Sequence, residues 1–211
     1  PPAPAWQSAV ARLRDGGALD AQGGLTEHGA AIAQLGVEPA LAMLILAGRE
    51  QGLPVAAARG AALLSERDIL NGQGGDLRSR LQALEANPER HRPLLAEAQR
   101  LLAGKPGDSS DWRQNLGKLL ARVYPRQLAC LRQAQGNRYQ MMDGPGVQLP
   151  TGDSLSGTQW MLILDTDGQP RDARIRLAMP LEEADLQSVV AQQAQWHERI
   201  GWDRERQRVT G

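Results

Sequence analysis

Lys118, Arg122, Arg126, Arg132 and Arg138 are the only charged residues between Gln114 and Gln140. Repeated cations without intervening acids match the phosphate backbone of a nucleic acid, and arginine adds a planar fork for phosphate oxygens. Lys118 and Arg122 lie four apart, which puts them on one face of a helix. Arg126 continues that spacing, although Pro125 ends the helix first. Arg132 and Arg138 fall on the first two strands expected downstream. Trp112, Tyr124 and Tyr139 lie nearby in sequence, and Tyr139 is the candidate stacking platform for a base. A solvated helix face with core aromatics explains the same residues without any ligand.

No constellation in the chain points to catalysis. Gly104-Lys105 has Gln99 five residues before the glycine and Pro106 after the lysine, so it is not a phosphate-binding loop. His28, His91 and His197 are far apart and lack a second ligand at helical spacing. Asp165-Thr166-Asp167-Gly168 begins like a calcium loop, but Arg176 stands where the closing Glu belongs, so a hairpin turn is expected there. Glu182-Glu183 reads as the acidic first turn of a helix rather than an acid/base pair. No catalytic residue, metal site or cofactor site is therefore expected within this chain.

Composition bounds the function classes. The 211 residues carry 24 Lys+Arg against 24 Asp+Glu, so any basic surface must be local. Only Lys105 and Lys118 are lysines; the arginine excess also fits a high-GC codon bias. Cys130 is the single cysteine, which excludes a disulfide framework and fits a reducing compartment. The longest apolar run, Ala40 to Ala47, is far too short for a membrane span. PPAPAW at the start does not read as a signal peptide. A cytoplasmic location is expected. Pro1 in place of Met makes the chain read as a piece of a longer polypeptide.

The elements that must position the basic run read as α+β. Trp6, Ala9, Val10 and Leu13 give a helical face. Ala18 to Asp20 and Gly24 to Thr26 read as two short β-segments around a glycine turn. Thr26 is an N-cap for a helix to Leu35, Gly36 stops it, and Pro39 opens a helix that is apolar on nearly every side. Pro54 opens another. This order predicts a winged helix over residues 1–71. After the break at Asn71 to Gly75, amphipathic helices over 76–84, 88–102 and 110–123 predict a small bundle over 72–124. Short strands over 127–131, 139–142, 147–149, 159–164 and 173–177 predict a small barrel over 125–180. A helix over 180–192 and a hairpin over 200–209 complete the chain.

Gly17-Ala18-Leu19-Asp20, Gly24-Leu25-Thr26 with Gly29, and Leu35-Gly36-Val37-Glu38-Pro39 together resemble the helicase-associated region of DEAH-box RNA helicases. Ala61 to Asp68 and Gly75 to Leu81 are similar to its bacterial HrpB subgroup. Leu119 to Ala129 resembles the segment that enters the family's OB-like barrel. Gln159 to Asp165 and Ala173 to Ala178 resemble later strands. Order and spacing across nearly the whole chain make the likeness specific. The resemblance implies a C-terminal accessory part: winged helix, ratchet-like bundle, OB-like barrel, and over 181–211 the start of an HrpB-specific tail. It implies single-stranded RNA and the RecA-like motor domains of the same polypeptide as partners. ATP and Mg would be bound by those motor domains and not here. The family more often has a basic residue where Cys130 stands.

Two other readings compete. One is a protein-interaction scaffold without direct nucleic-acid contact, which the zero net charge allows. The other is a sequence-specific DNA-binding winged helix. Its recognition helix, Glu27 to Leu35, offers only Glu27, His28 and Gln34 as polar readers and no arginine for guanine.

Overall fold

The computed structural model describes residues 3–104, 112–134, 136–142, 144–187, 201–203 and 208–210. The start of the helix expected at 110 and the part of the helix expected at 180–192 beyond 187 lie outside them. Helix α1 (Ala3–Asp15) leads to a ribbon closed by a single bridge, Leu19 to Leu25. Asp20 holds its turn, receiving the Gly24 N–H on Oδ1 at 2.7 Å. Thr26 then caps α2 (Glu27–Gln34) as expected, accepting the Gly29 N–H at 2.9 Å. The Thr26 hydroxyl also donates to the Gly17 carbonyl at 2.6 Å, which ties the ribbon to the helix start. Glycine is required at position 29, because a Cβ there would lie 2.1 Å from the Ala18 carbonyl oxygen. Trp6, expected on the inner face of α1, is 62% exposed, whereas Val10 and Leu13 are half-buried.

Helices α3 (Pro39–Glu50), α4 (Pro54–Ser65), α5 (Leu77–Ala86), α6 (Arg92–Leu102) and α7 (Trp112–Val123) pack as a cluster. The apolar α3 is central, with Leu41, Leu44 and Ile45 buried. Alanines line α4, and Ala56, Ala57, Ala61 and Ala62 are buried. Small side chains let α3 approach closely: a Cβ on Gly48 would meet the Ala57 Cβ at 2.2 Å. No single described helix is long and apolar enough to cross a membrane. Helices α2 and α3 together pass by length and composition, but they meet at a 107° bend.

A 3-10 turn, Pro125–Gln127, leads into a closed five-stranded barrel. Its strands are β1 (Leu128–Leu131), β2 (Arg138–Met141), β3 (Gly146–Gln148), β4 (Trp160–Thr166) and β5 (Ala173–Leu181), in the order β1-β2-β3-β5-β4. Only the β3–β5 pair is parallel. Ala129, Tyr139, Val147, Met161 and Ile175 fill the interior. Strand β5 runs to Leu181, through the Pro180 expected to open a helix. The reason lies in its far end: Met179 and Leu181 face the helices and join their core, along with Leu128 and Leu162. A helix does follow, over residues 183–187. Strands β6 (Gly201–Asp203) and β7 (Arg208–Thr210) pair antiparallel, as the expected hairpin requires.

The break at Asn71 to Gly75 is present, with left-handed backbone at Asn71, Gly72 and Gly74. One hydrophobic core nevertheless spans it, joining α3 and α4 to α5, α6 and α7. The segment is also fastened to the barrel. Ala178 N–H donates to the Gly75 carbonyl at 2.7 Å, and Gly75 N–H donates to Asp153 Oδ2 at 2.9 Å.

Candidate nucleic-acid interface

Helix α7 is amphipathic, and Leu116, Leu119 and Leu120 are fully buried. That leaves Lys118 and Arg122 on its exposed side. The fold brings carboxylates to this side from distant segments. Arg126 Nη2 lies 2.7 Å from Asp15 Oδ2 at the end of α1, and Arg122 Nη2 lies 4.0 Å from Glu50 Oε2 at the end of α3. Burial, and then the charge of Glu182, raise the Asp185 carboxyl above its ordinary range, while the Lys118 charge acts to lower it. The acid-free run in the sequence is therefore not acid-free in space along α7.

The barrel half differs. Side chains alternate across a strand, so the inward Tyr139 leaves Arg138 and Gln140 facing out. Leu131 pairs with Tyr139, and the next rung is closed by the Arg132 N–H donating to the Arg138 carbonyl at 3.0 Å. Arg132 and Arg138 thus stand opposite each other on the outer face, although Arg132 follows β1 rather than lying within it. The Arg132 guanidinium reaches across β2, donating to Gln140 Oε1 and packing over Gly146 on β3. Gln140 is held in turn, its Nε2 donating to the Gly144 carbonyl at 2.9 Å. Arg138 forms no ion pair among the described residues.

Tyr139 is not a stacking platform. It is 0% exposed, its hydroxyl donates to the Leu155 carbonyl at 3.0 Å, and burial raises its phenol above the ordinary range. The strand's alternation forces this, because exposing the ring would turn Arg138 and Gln140 into the barrel. Trp112 is a core residue as well, 1% exposed, with its indole N–H donating to Glu85 Oε1 at 2.6 Å. Tyr124 is half-buried, and burial, then the Glu38 charge, raise its phenol.

Two groups were not singled out in the sequence. Arg174 and Arg176 are exposed on β5, with Ala173 and Ile175 pointing into the barrel between and beside them. The alternation was visible, but only the parallel register that sets Gln148 against Arg174 brings them toward Arg138. The second group is an ion pair between a buried arginine and a half-buried aspartate. Arg80, 2% exposed, donates from Nε and Nη2 to Asp68 at 3.0 and 2.9 Å and from Nη1 to the Asp76 carbonyl at 3.0 Å. Burial alone would raise the Asp68 carboxyl; the Arg80 hydrogen bonds, the N–H groups of Gly72 and Leu70 and the guanidinium charge hold it below the ordinary range. Among the described residues, no group of three or more His, Cys, Asp or Glu could hold a metal ion.

No family model matches the chain. Over 191 residues it is 31% identical to the ATP-dependent RNA helicase HrpB of Escherichia coli K12, covering 89% of this chain and 22% of that protein. A crystal structure of the E. coli DExH-box NTPase HrpB superposes on the whole chain with a TM-score of 0.81 at 26% identity, and the chain covers 25% of it. A crystal structure of the E. coli DEAH/RHA helicase HrpB superposes with a TM-score of 0.74 at 22% identity, a likeness of fold. The closed barrel and the helices before it match that architecture from end to end. Over nearly its whole length this chain is thus similar to the HrpB helicase of E. coli, and it spans about a quarter of that protein's length.

Proposed function

We propose that the chain is an accessory, non-motor part of an ATP-dependent RNA helicase that contacts the backbone of single-stranded RNA. The observation that carries this reading is the pair Arg132 and Arg138, side by side on an outer barrel face without a carboxylate partner among the described residues. The strand order β1-β2-β3-β5-β4 supports an OB-like barrel. Barrels of that type bind oligonucleotides on the face of their second and third strands and in the loop after the first. Arg138 lies on β2 and Arg132 in that loop. The bridged ribbon followed by α2 and α3 supports the winged-helix reading of residues 1–71.

Within this reading, Arg132 and Arg138 touch phosphates. Lys118, Arg122 and Arg126 lie near the carboxylates of Asp185, Glu50 and Asp15, which compete with a phosphate for them. RecA-like domains outside this chain hydrolyse ATP with Mg, and the module converts their motion into movement along a strand. Base identity matters little, since the candidate contacts are cations rather than base readers.

The test is binding of the chain to labelled single-stranded RNA over a salt series. Weak binding that steepens toward low salt and tolerates changes of base sequence is expected. Salt-independent binding, or none, contradicts the proposal. Recovery of a protein partner after nuclease treatment, with no RNA binding, would favour an interaction scaffold; the exposed Trp6 and Leu25 suit that alternative.

A further inference from the structure

The outer face of the barrel carries its cations farther than Arg138. Register places Arg138 beside Gln148 and Gln148 beside Arg174. With Arg132 opposite Arg138, four side chains form one row across β1, β2, β3 and β5. Adjacent strands are about 4.8 Å apart, so the row extends roughly 14 Å. All four face outward, because the neighbouring rung, Leu131, Tyr139, Val147 and Ala173, is buried inside. Arg176 continues the same face two residues along β5.

Arg174 and Arg176 open onto a groove of about 860 Å³ between the barrel and the segment 66–75. Arg67 lines the facing wall and is exposed. None of these three arginines forms an ion pair among the described residues. Carboxylates share the groove, but two are engaged. Asp68 is held by Arg80, and Asp167 Oδ1 receives the N–H groups of Gln169 and Arg174. Glu66 and Asp165 remain. Leu64, Ile69, Pro150 and Leu177 are half-buried there and offer apolar surface.

We infer that the single-stranded polynucleotide crosses the barrel along Arg132, Arg138 and Arg174 and enters this groove, where Arg67, Arg174 and Arg176 hold its phosphodiester backbone. Arginines repeated at strand spacing match a chain of regularly spaced phosphates. The aliphatic surface of Leu64, Ile69, Pro150 and Leu177 can cover base faces without reading their identity. The track therefore turns toward the 66–75 segment and away from α7. This inference rests on the proposed RNA-binding function and adds the groove to it.

The experiment measures anisotropy of labelled oligouridines of about 4 and about 12 nucleotides, spanning the range that one such barrel occludes. The 211-residue chain is compared with Arg174→Ala/Arg176→Ala, Arg67→Ala and Arg132→Ala/Arg138→Ala variants. Arg174→Ala/Arg176→Ala is expected to weaken the longer oligonucleotide about tenfold and to flatten its salt slope by about 1.4, or 0.7 per lost contact. Arg67→Ala gives a smaller loss of the same kind, Arg174→Lys keeps most of the affinity, and the short oligonucleotide is weakened less. The exposed substitutions leave the melting temperature unchanged. If the groove variants bind both lengths like the unmodified chain while Arg132→Ala/Arg138→Ala does not, the groove inference fails and the barrel-face reading stands. If the unmodified chain binds neither length at low salt, both fail.

Discussion

The two halves of the basic run, Lys118 to Arg126 and Arg132 to Arg138, look alike in sequence and differ in space. On the helical half, tertiary structure supplies acids: Asp15 reaches Arg126 and Glu50 lies near Arg122. On the barrel half, Arg132 donates to a neutral glutamine and Arg138 has no ion-pair partner among the described residues. Local charge counts therefore describe a surface only when nothing folds against it. Helix α7 is a packing element with neighbours on several sides. On the outer face of β2 and β3, Arg138 is exposed and Arg132 lies over Gly146.

The comparison sharpens first at Arg80, the cation most deeply engaged by an acid. Arg80→Ala should destabilise the fold by about 3 kcal/mol, at the low end for a broken buried pair because Asp68 keeps contact with water. Denaturant unfolding measures it, and RNA affinity should also fall, because Asp68 without Arg80 adds an unpaired negative charge to the groove. The same pair predicts a pH dependence. Asp68 titrates lower in the folded chain than in the unfolded one, so its contribution is present above about pH 4 and is lost as pH falls through the folded value. An Asp68→Asn variant should show a flatter acid limb in thermal melts.

Next comes the open half. Arg132→Ala with Arg138→Ala should weaken single-stranded RNA about tenfold at low salt, which is about 1.4 kcal/mol, without moving the melting temperature. Tyr139→Phe should cost about 1 kcal/mol of stability through the lost bond to the Leu155 carbonyl. It should leave binding untouched; a large loss of affinity in Tyr139→Phe would mean that the ring leaves the barrel. Arg126→Ala should have the smallest effect, under about 0.5 kcal/mol, because its pair with Asp15 is 56% exposed on both sides.

Elements carried by local chemistry were legible. Thr26 caps its helix, Pro39 and Pro54 open theirs, and the glycine at 36 is left-handed at φ +64°. The five barrel strands lie within a few residues of where alternation and turn residues put them. Other elements were misread or left no local signal. Pro180 looked like a helix start, but packing of Met179 and Leu181 on α7 extends β5 past it. Tyr139 looked exposed beside Arg138, yet adjacent strand residues point to opposite faces, and the alternation of Arg138, Tyr139 and Gln140 already implied its burial. The partners of Arg122 and Arg126, and the alignment of Arg174 with Arg138 through Gln148, depend on residues far apart in the chain. Spacing along the sequence carries no trace of them.

The central claim is that nucleic-acid contact belongs to the barrel face and not to α7. It is tested most directly by the salt dependence of single-stranded RNA binding in two double variants, Lys118→Ala/Arg122→Ala and Arg132→Ala/Arg138→Ala. The first variant should keep the slope of the unmodified chain, and the second should flatten it by about 1.4, two contacts at 0.7 each. A flattened slope in the α7 variant with an unchanged one in the barrel variant would contradict it.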